Sequence, residues 1–173
     1  MISIKKKKIK KFIQIGSSLE YGKTKSPHKE KTMTKKVILL KSIYAKSKLL
    51  STNYCMNAFK KFFFPVIVLR PYLVYGPGQK IDRLIPFIIS KSLTNKTFPC
   101  SSGVQLRNFL FVEDFVKAIF KTLTKKNVNG EIINIGSNNN LKVKKVILMI
   151  KNYLNSGKPM FGKIKLRKDE SIK

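Results

Sequence analysis

The stretch that decides the fold is residues 65–70, PVIVLR, a short apolar run that begins at a proline and ends at an arginine. Aliphatic runs of this length with clear boundaries are typical of strands that are buried on both faces of a parallel sheet. The following residues, 71–79 (PYLVYGPGQ), are interrupted by prolines and glycines and are predicted to form a loop. We therefore expect a buried strand whose carboxyl end opens into a loop.

Two other stretches repeat this pattern. Residues 11–18 (KFIQIGSS) and 130–137 (GEIINIGS) are also apolar runs that end in small polar residues, so both are predicted to be strands. Residues 44–59 instead carry apolar side chains at a spacing of three to four, which indicates an amphipathic helix. Further helices are expected after Pro86 in 83–93, in the second half of 107–123, and in 141–154. Strands that alternate with helices predict an α/β fold with a mainly parallel sheet.

The carboxyl ends of the predicted strands are the place to look for a site, because ligands of parallel sheets bind beyond those ends. The three ends are Gly16–Ser17–Ser18, Arg70–Pro71 and Gly136–Ser137. All three combine small or polar residues with the end of an apolar run.

The charge of the chain suggests a second class of function. Lysine and arginine number 37 against eight acidic residues, which gives a formal net charge of +29. Only four of the basic residues are arginines, however, and proteins that read base edges depend on arginine for bidentate contacts. Specific nucleic-acid binding is therefore disfavoured. The alternative function is a basic, non-enzymatic protein that holds nucleic acid or anionic surfaces through its lysines.

Cysteine and histidine give no sign of a metal site or a disulfide framework. Cys55 and Cys100 are the only cysteines and lack the spacing of metal ligands, and His28 lies in a polar loop where we expect it to be solvated. No apolar run approaches the 18 or more residues of a membrane span. We therefore expect a protein of the reducing cytoplasm without a metal or a membrane anchor.

Tyr44 and Lys48 are four residues apart on the predicted helix, which places them on one face. A phenol is a poor base at neutral pH, and a nearby cation favours its ionised form. A hydroxyl at a strand end, from Ser17 or Ser18, could hydrogen-bond the same substrate oxygen. On spacing alone, however, a lysine-rich chain produces this pair easily, and a solvated helical pair is the simpler interpretation.

Five ordered segments carry a resemblance to a known family. They are IGSSLEYG (15–22), YAKSK (44–48), VLRPYLVYGPGQ (68–79), QLRNFLFVEDFVKAI (105–119) and EIINIGS (131–137). In order and spacing they resemble the extended short-chain dehydrogenase/reductases and, more narrowly, the NAD-dependent epimerase/dehydratase family that acts on nucleotide sugars. The resemblance covers residues 11 to about 170.

The resemblance implies an α/β fold with a partial, doubly wound Rossmann-like sheet and a small C-terminal substrate-binding lobe. It divides a single truncated domain, 1–173, into segments of three kinds. A basic lead-in helix is expected over 1–11. The Rossmann-like core is expected over 12–75 and 107–136, and elements of the substrate lobe over 76–106 and 137–173.

The family's functional residues are carried over position by position. Tyr44 and Lys48 match the catalytic pair, and Ser17, four residues before Tyr21, matches its serine or threonine. In that family the tyrosine exchanges a proton with a sugar hydroxyl or ketone, the cofactor exchanges the hydride, and the lysine also holds the nicotinamide ribose. Cofactor-binding positions are therefore Tyr44, Lys48, Pro71, Tyr72 and Leu73, although the family often has asparagine where this chain has Leu73.

Substrate-binding positions implied by the resemblance are Ser18, Arg83, Arg107 and Arg167. Arg107 matches an arginine that grips the diphosphate of the substrate, and its usual aspartate partner is replaced by Asn108. Arg167 resembles a second phosphate-contacting arginine. The implied cofactor is NAD or NADP, the implied substrate is a nucleotide sugar, and a homodimer is compatible with the family.

Two departures from the family limit the expected activity. No G-x-x-G-x-x-G or G-x-G-x-x-G motif can be assembled from the nine glycines, so we expect a fragment that does not bind the cofactor independently. Members that remove water from the sugar carry an Asp-Glu pair directly after the serine or threonine, where this chain has Ser18 and Leu19. Because leucine cannot exchange a proton, the expected chemistry is epimerisation or reduction of a 4-keto sugar rather than 4,6-dehydration.

Overall fold

The computed structural model describes residues 9–24, 26–31, 40 and 42–166. Within these residues, strands and helices alternate along the chain. The strands are β1 (Phe12–Ile15), β2 (Val66–Pro71), β3 (Leu73–Tyr75), β4 (Thr97–Pro99), β5 (Leu106–Phe111), β6 (Ile132–Ile135), β7 (Asn140–Lys142) and β8 (Lys158–Met160). The α-helices are α1 (Ile43–Phe62), α2 (Leu84–Leu93), α3 (Val112–Thr124) and α4 (Val143–Leu154), and a 3-10 helix covers Ser18–Tyr21.

The chain forms two compact units. The first unit comprises the residues up to Tyr72 together with Glu113–Ile135, and the second comprises Leu73–Val112 together with the residues from Gly136 onward. The first unit therefore contains β1, the 3-10 helix, α1, β2, β6 and nearly all of α3. The second contains the remaining strands together with α2 and α4.

The first unit is built on a parallel sheet in the order β1-β2-β6. Ile13 pairs with Ile67 on one side of β2, and Leu69 pairs with Ile133 on the other. All six residues of β2 are buried, as expected for the central strand of a sheet whose faces are both covered. Sequence and structure agree here because an uninterrupted aliphatic run suits only this position.

Helix α1 covers part of this sheet. Ser42 caps its N-terminus by accepting a hydrogen bond from the Ala45 amide, and Phe63 ends the helix in a left-handed conformation. The buried residues of the helix are Ala45, Leu49 and Thr52, which share one face. This face fixes the rotation of α1 and so decides which of its residues remain exposed.

The second unit has a three-stranded sheet in the order β3-β5-β7 and a two-stranded sheet of β4 and β8. The β3–β5 and β4–β8 pairs are parallel, and the β5–β7 pair is antiparallel. Helices α2 and α4 pack together over an apolar core. That core consists of Ile88, Phe98, Cys100, Phe109, Val143, Val146 and Ile147.

The α/β class and the mainly parallel strand pairing are confirmed. The loop predicted over 71–79 is interrupted by β3, which pairs with β5. Helix α2 begins at Leu84, two residues before Pro86. Proline is tolerated in this first turn because the N–H groups there have no intrahelical partner to lose. The lead-in helix predicted over 1–11 falls mostly outside the described residues, and its described part, 9–11, is not helical.

The boundary between the units differs from the sequence-based division. Residues 73–75, 107–112 and 136 lie in the second unit, and the division into a Rossmann-like core and a substrate lobe stays a prediction. Strand pairing keeps β3, β5 and β7 together in this unit, since β3 pairs with β5 and β5 with β7. Across the described residues, no helix is both long and apolar enough to cross a membrane.

Candidate active site

Tyr44 and Lys48 lie one turn apart near the start of α1. The Lys48 ammonium is 5.7 Å from the centre of the Tyr44 ring and donates a 2.9 Å hydrogen bond to the Ile15 carbonyl oxygen at the end of β1. Tyr44 is 53% exposed. The lysine therefore ties the start of α1 to a strand end while it remains close to the tyrosine ring.

Ser17 is the second residue after β1 and begins the 3-10 helix as its N-cap. Its hydroxyl oxygen accepts a 3.2 Å hydrogen bond from the Leu19 amide, and its own amide donates to Glu20 Oε1 at 2.7 Å. Ser17 is 8% exposed. Ser18 is half-buried at the start of the 3-10 helix, whereas Leu19 is exposed.

A buried ion pair lies next to Ser17. Arg70 donates from Nε and Nη2 to Glu20 Oε2 at 2.9 and 2.8 Å, and both residues are 1% exposed. The guanidinium carbon lies 4.8 Å from the centre of the Tyr21 ring, close enough for a cation–π contact. Arg70 thus joins the end of β2 to the 3-10 helix.

His28 is part of an aromatic stack, which corrects the expectation that it is solvated. Its ring lies 4.4 Å from Tyr21 and 6.2 Å from Tyr72 between centroids, nearly parallel to both. Its Nδ1 is 3.3 Å from the Tyr72 hydroxyl, and its Nε2 is 3.3 Å from the Thr24 carbonyl oxygen. The stack holds the polar loop against Tyr21 and Tyr72 within the first unit, because tyrosine and histidine have flat rings that pack face to face.

Asn134 in β6 connects this stack to the sheet. Its side-chain oxygen accepts from the Tyr21 hydroxyl at 2.8 Å, and its side-chain nitrogen donates to the His28 carbonyl oxygen at 3.2 Å. The Asn134 amide also donates to a Glu30 carboxylate oxygen at 3.2 Å. One asparagine therefore joins three points of the loop and the 3-10 helix.

The predicted cofactor-binding residues at the end of β2 fall in both units. Pro71 is buried and ends β2, and the Tyr72 amide donates to the Ile135 carbonyl oxygen at 3.0 Å. Burial raises the pKa of the Tyr72 hydroxyl, and the neighbouring Tyr21 and Glu30 raise it further. Leu73 begins β3 in the second unit and is 41% exposed.

The predicted substrate-binding arginines belong to the second unit or lie outside the described residues. Arg107 lies in β5 opposite Leu141, and its Nη1 donates to the Leu106 carbonyl oxygen at 2.7 Å. Arg83 is exposed at the N-cap of α2. Arg167 lies outside the described part of the chain. The structure thus joins Lys48 to the end of β1, two residues before Ser17, and places Tyr44 beside Lys48. The roles of the arginines stay predictions.

Asn108 has a role that its position beside Arg107 did not predict. Its side-chain oxygen accepts from the Ser137 amide at 2.7 Å, and its side-chain nitrogen donates to the Ser137 carbonyl oxygen at 2.8 Å and to Asn140 Oδ1 at 3.0 Å. An amide can both donate and accept, whereas an aspartate could only accept. Asparagine at this position therefore holds the turn between β6 and β7.

Sequence reasoning did not single out Glu20 or Asn134, named Arg70 only as part of a strand end, and expected His28 to be solvated. The available signal was Arg70, a charge at the end of an otherwise aliphatic strand, because buried charges need partners. No sequence signal pairs it with Glu20. Among the described residues, no cluster of histidine, cysteine, aspartate and glutamate could hold a metal ion.

Comparison with known proteins identifies the family. The family model described as the NAD dependent epimerase/dehydratase family matches residues 2–136. The chain belongs to this family. The comparisons give no support to the alternative of a basic binding protein.

Relatives in the epimerase/dehydratase family are enzymes of nucleotide-sugar chemistry. Human dTDP-D-glucose 4,6-dehydratase is 34% identical over 149 residues, which are 83% of this chain and 41% of that protein. UDP-glucuronic acid 4-epimerase from Bacillus cereus, solved in complex with UDP-glucuronic acid and NAD, is 29% identical with a TM-score of 0.81. This match covers 91% of the present chain and 50% of the epimerase.

A dTDP-glucose 4,6-dehydratase from Bacillus anthracis, solved in complex with NAD, has the same TM-score of 0.81 at 28% identity and covers 92% of this chain and 50% of its own. The likeness confirms a Rossmann-like α/β fold in a family whose members are NAD-dependent. The chain spans about half the length of the relatives it matches.

Proposed function

We propose that this chain carries the proton-transfer and substrate-binding part of an NAD(P)-dependent nucleotide-sugar epimerase or 4-keto-sugar reductase. The observation that supports this most directly is that Lys48 makes two contacts at once. Its ammonium lies beside the Tyr44 ring and is bonded to the end of β1, two residues before Ser17. A proton-transfer group, a cation and a hydroxyl are thereby associated with one strand end.

The roles follow from the chemistry of these groups. Tyr44 takes the proton of the sugar hydroxyl or returns one to the ketone, and the adjacent ammonium stabilises the charge that develops on the tyrosine oxygen. The Ser17 hydroxyl hydrogen-bonds the same substrate oxygen. Bound NAD or NADP supplies the hydride acceptor and donor.

The residues present fit such a cofactor. An ammonium has three N–H donors, and the Ile15 carbonyl takes one of those of Lys48, which leaves donors for ribose hydroxyls. Tyr44 is exposed and lies one helical turn before Lys48, with its ring 5.7 Å from the Lys48 ammonium. Tyr44, Lys48, Pro71, Tyr72 and Leu73 are the residues that we propose to contact the nicotinamide end.

Substrate recognition is assigned to Ser18, Arg83, Arg107 and Arg167. A guanidinium can hold two oxygens of a diphosphate at once, which favours arginine for this purpose. We propose epimerisation or keto-reduction rather than 4,6-dehydration, although the relatives include dehydratases. The reason is Leu19, an exposed apolar side chain at a position where dehydration requires an acid or base.

Tyr44→Phe tests the proposal. The assay joins the chain to the N-terminal half of the Bacillus cereus epimerase, so that the fusion matches the length of the relatives, and follows turnover of nucleotide sugars with NAD⁺. Losing the phenol removes proton transfer, which contributes about 10²–10⁴-fold to the rate. We expect turnover to fall by that factor while the nucleotide-sugar Kd stays within a few-fold.

Tyr54→Phe is the matched control, because Tyr54 lies on the same helix and is 79% exposed. That variant should turn over at the parent rate. Parent-like turnover in Tyr44→Phe would refute the assignment of Tyr44.

The remaining expectations are separate proposals. A homodimer is tested by sedimentation of the chain, and a cytoplasmic location by cell fractionation. Weak adhesion of the lysines to nucleic acid is tested by a salt titration, since electrostatic binding collapses between about 50 and 200 mM salt.

A further inference from the structure

Glu20 and Arg70 form an ion pair, and each of the two residues is only 1% exposed. Removing two charges from water costs free energy, and replacing a buried ion pair by apolar residues is often neutral or stabilising. Stability alone therefore does not explain why a charged pair occupies this place. The contacts of the second Glu20 oxygen suggest another reason.

Glu20 connects Arg70 to the backbone of Ser17. Oε2 accepts both guanidinium hydrogen bonds, while Oε1 accepts the Ser17 amide at 2.7 Å. A side chain at position 16 would close this space, because a Cβ on Gly16 would lie 2.4 Å from Glu20 Oε1. The end of β1 is thus shaped to admit one carboxylate oxygen.

We infer that Glu20 and Arg70 are positioning residues for Ser17, an inference that rests on the proposed function of the Ser17 hydroxyl. The two guanidinium donors fix the carboxylate, and the carboxylate fixes the Ser17 peptide through a charge-assisted bond. Ser17 has extended backbone angles, φ −159° and ψ 146°, and its side-chain direction follows from them. Reaction rates depend on placing such groups within less than an ångström, so orientation of this peptide matters to turnover.

Hydrogen exchange of the full 173-residue chain tests the contact without any activity. In Glu20→Gln the carboxylate is replaced by an amide, which has only one acceptor oxygen. The NH₂ group of the amide donates, so the side chain can no longer place one acceptor oxygen on Arg70 and a second on the Ser17 amide. We expect the Ser17 amide to exchange at least about tenfold faster in this variant. The Gly16 amide is the internal control, because it donates to the Leu69 carbonyl oxygen at 2.8 Å and should keep its protection.

A kinetic cycle then separates positioning from a merely structural role. In the fusion assay, Glu20→Gln should lower kcat about tenfold with KM nearly unchanged. The Ser17→Ala variant keeps the backbone amide of residue 17 but has no hydroxyl to position. In that background, Glu20→Gln should have almost no further effect on kcat. Equal losses in both backgrounds would overturn the inference.

Tyr21→Phe is the matched structural control. It removes the partly buried hydrogen bond from the Tyr21 hydroxyl to Asn134 without removing any contact of the Ser17 amide. Its effect on kcat should be the same in both backgrounds. Should Glu20→Gln not fold, Glu20→Asp retains the charge beside Arg70 but is too short to reach Ser17 as well, and the same two measurements apply.

The outcomes separate the two hypotheses. A parent fusion that binds NAD⁺ but does not turn over nucleotide sugars refutes the proposed function, and the Ser17 amide exchange in the 173-residue chain then decides the positioning contact by itself. An unchanged Ser17 exchange rate in the Glu20 variants overturns the positioning contact whatever the activity.

Discussion

At the scale of single residues, Tyr72 gives a testable pH dependence. Burial raises the pKa of its hydroxyl, and Tyr21 and Glu30 add to the rise. The folded state therefore holds this proton more tightly than the unfolded chain, in which tyrosine titrates near 10. The stability that this raised pKa contributes is fully present below about pH 10, and it is lost as the pH rises through the pKa of Tyr72 in the folded state.

Replacing Tyr72 by Phe should therefore flatten the alkaline fall in the free energy of unfolding, as measured by urea titrations between about pH 8 and 11. Tyr54→Phe, which removes an exposed hydroxyl from α1, is the control. Burial also raises the pKa of the Cys55 and Cys100 thiols, and their contribution is common to all three proteins. Equal slopes in wild type and Tyr72→Phe would contradict the assignment.

Residues that act through local spacing could be predicted from the sequence, whereas those that act through distant pairing could not. Tyr44 and Lys48 are four residues apart, so the helix alone brings them together. Glu20 and Arg70 are 50 residues apart, and Tyr21 and Asn134 are 113 apart. Such contacts depend on the order of strands in the sheet, which a single sequence does not specify.

At the scale of elements, Gly130 controls how closely α1 approaches the turn before β6. It has a φ of +81°, and a Cβ added there would lie 2.1 Å from Phe59 Cε1. Gly130→Ala therefore combines backbone strain with overpacking against a helix residue. Overpacking costs about 1–3 kcal/mol, and the left-handed conformation about 1–2 kcal/mol more.

Gly78 offers the matched control, because its φ is +77° but no atom lies within 4 Å of an added Cβ. Gly78→Ala should lose only the free energy that corresponds to backbone strain. The further loss in the free energy of unfolding of Gly130→Ala, from thermal or urea unfolding, then measures the clash with Phe59. Replacing Phe59 by Leu should recover part of the loss in Gly130→Ala. A loss at Gly130 no larger than the loss at Gly78 would exclude the clash.

The elements of the first unit were more predictable than those of the second. The strand over 65–70 and the helix over 44–59 are marked by clear periodicity and by boundary residues. Strands β4, β7 and β8 have three residues each, too few to show a period of two. Their existence depends on partners elsewhere in the chain, and sequence analysis therefore missed them.

At the scale of the whole molecule, the cofactor contacts that we propose for this chain lie at the nicotinamide end, and its glycines form no pyrophosphate-binding motif. Tight binding of a dinucleotide needs donors for the pyrophosphate as well as for one ribose. We therefore predict that the 173-residue chain alone neither binds NAD⁺ or NADP⁺ saturably at micromolar concentration nor turns over a nucleotide sugar.

Calorimetric titration with NAD⁺ and NADP⁺ at about 50 and 200 mM salt is the measurement. The net charge of +29 attracts any anionic dinucleotide, so weak uptake at low salt is expected and should disappear at the higher salt. The fusion used for turnover serves as the positive control, and inorganic pyrophosphate shows how much uptake is charge alone. Saturable micromolar binding that persists at high salt would contradict the prediction, because some other segment of this chain would then have to hold the pyrophosphate.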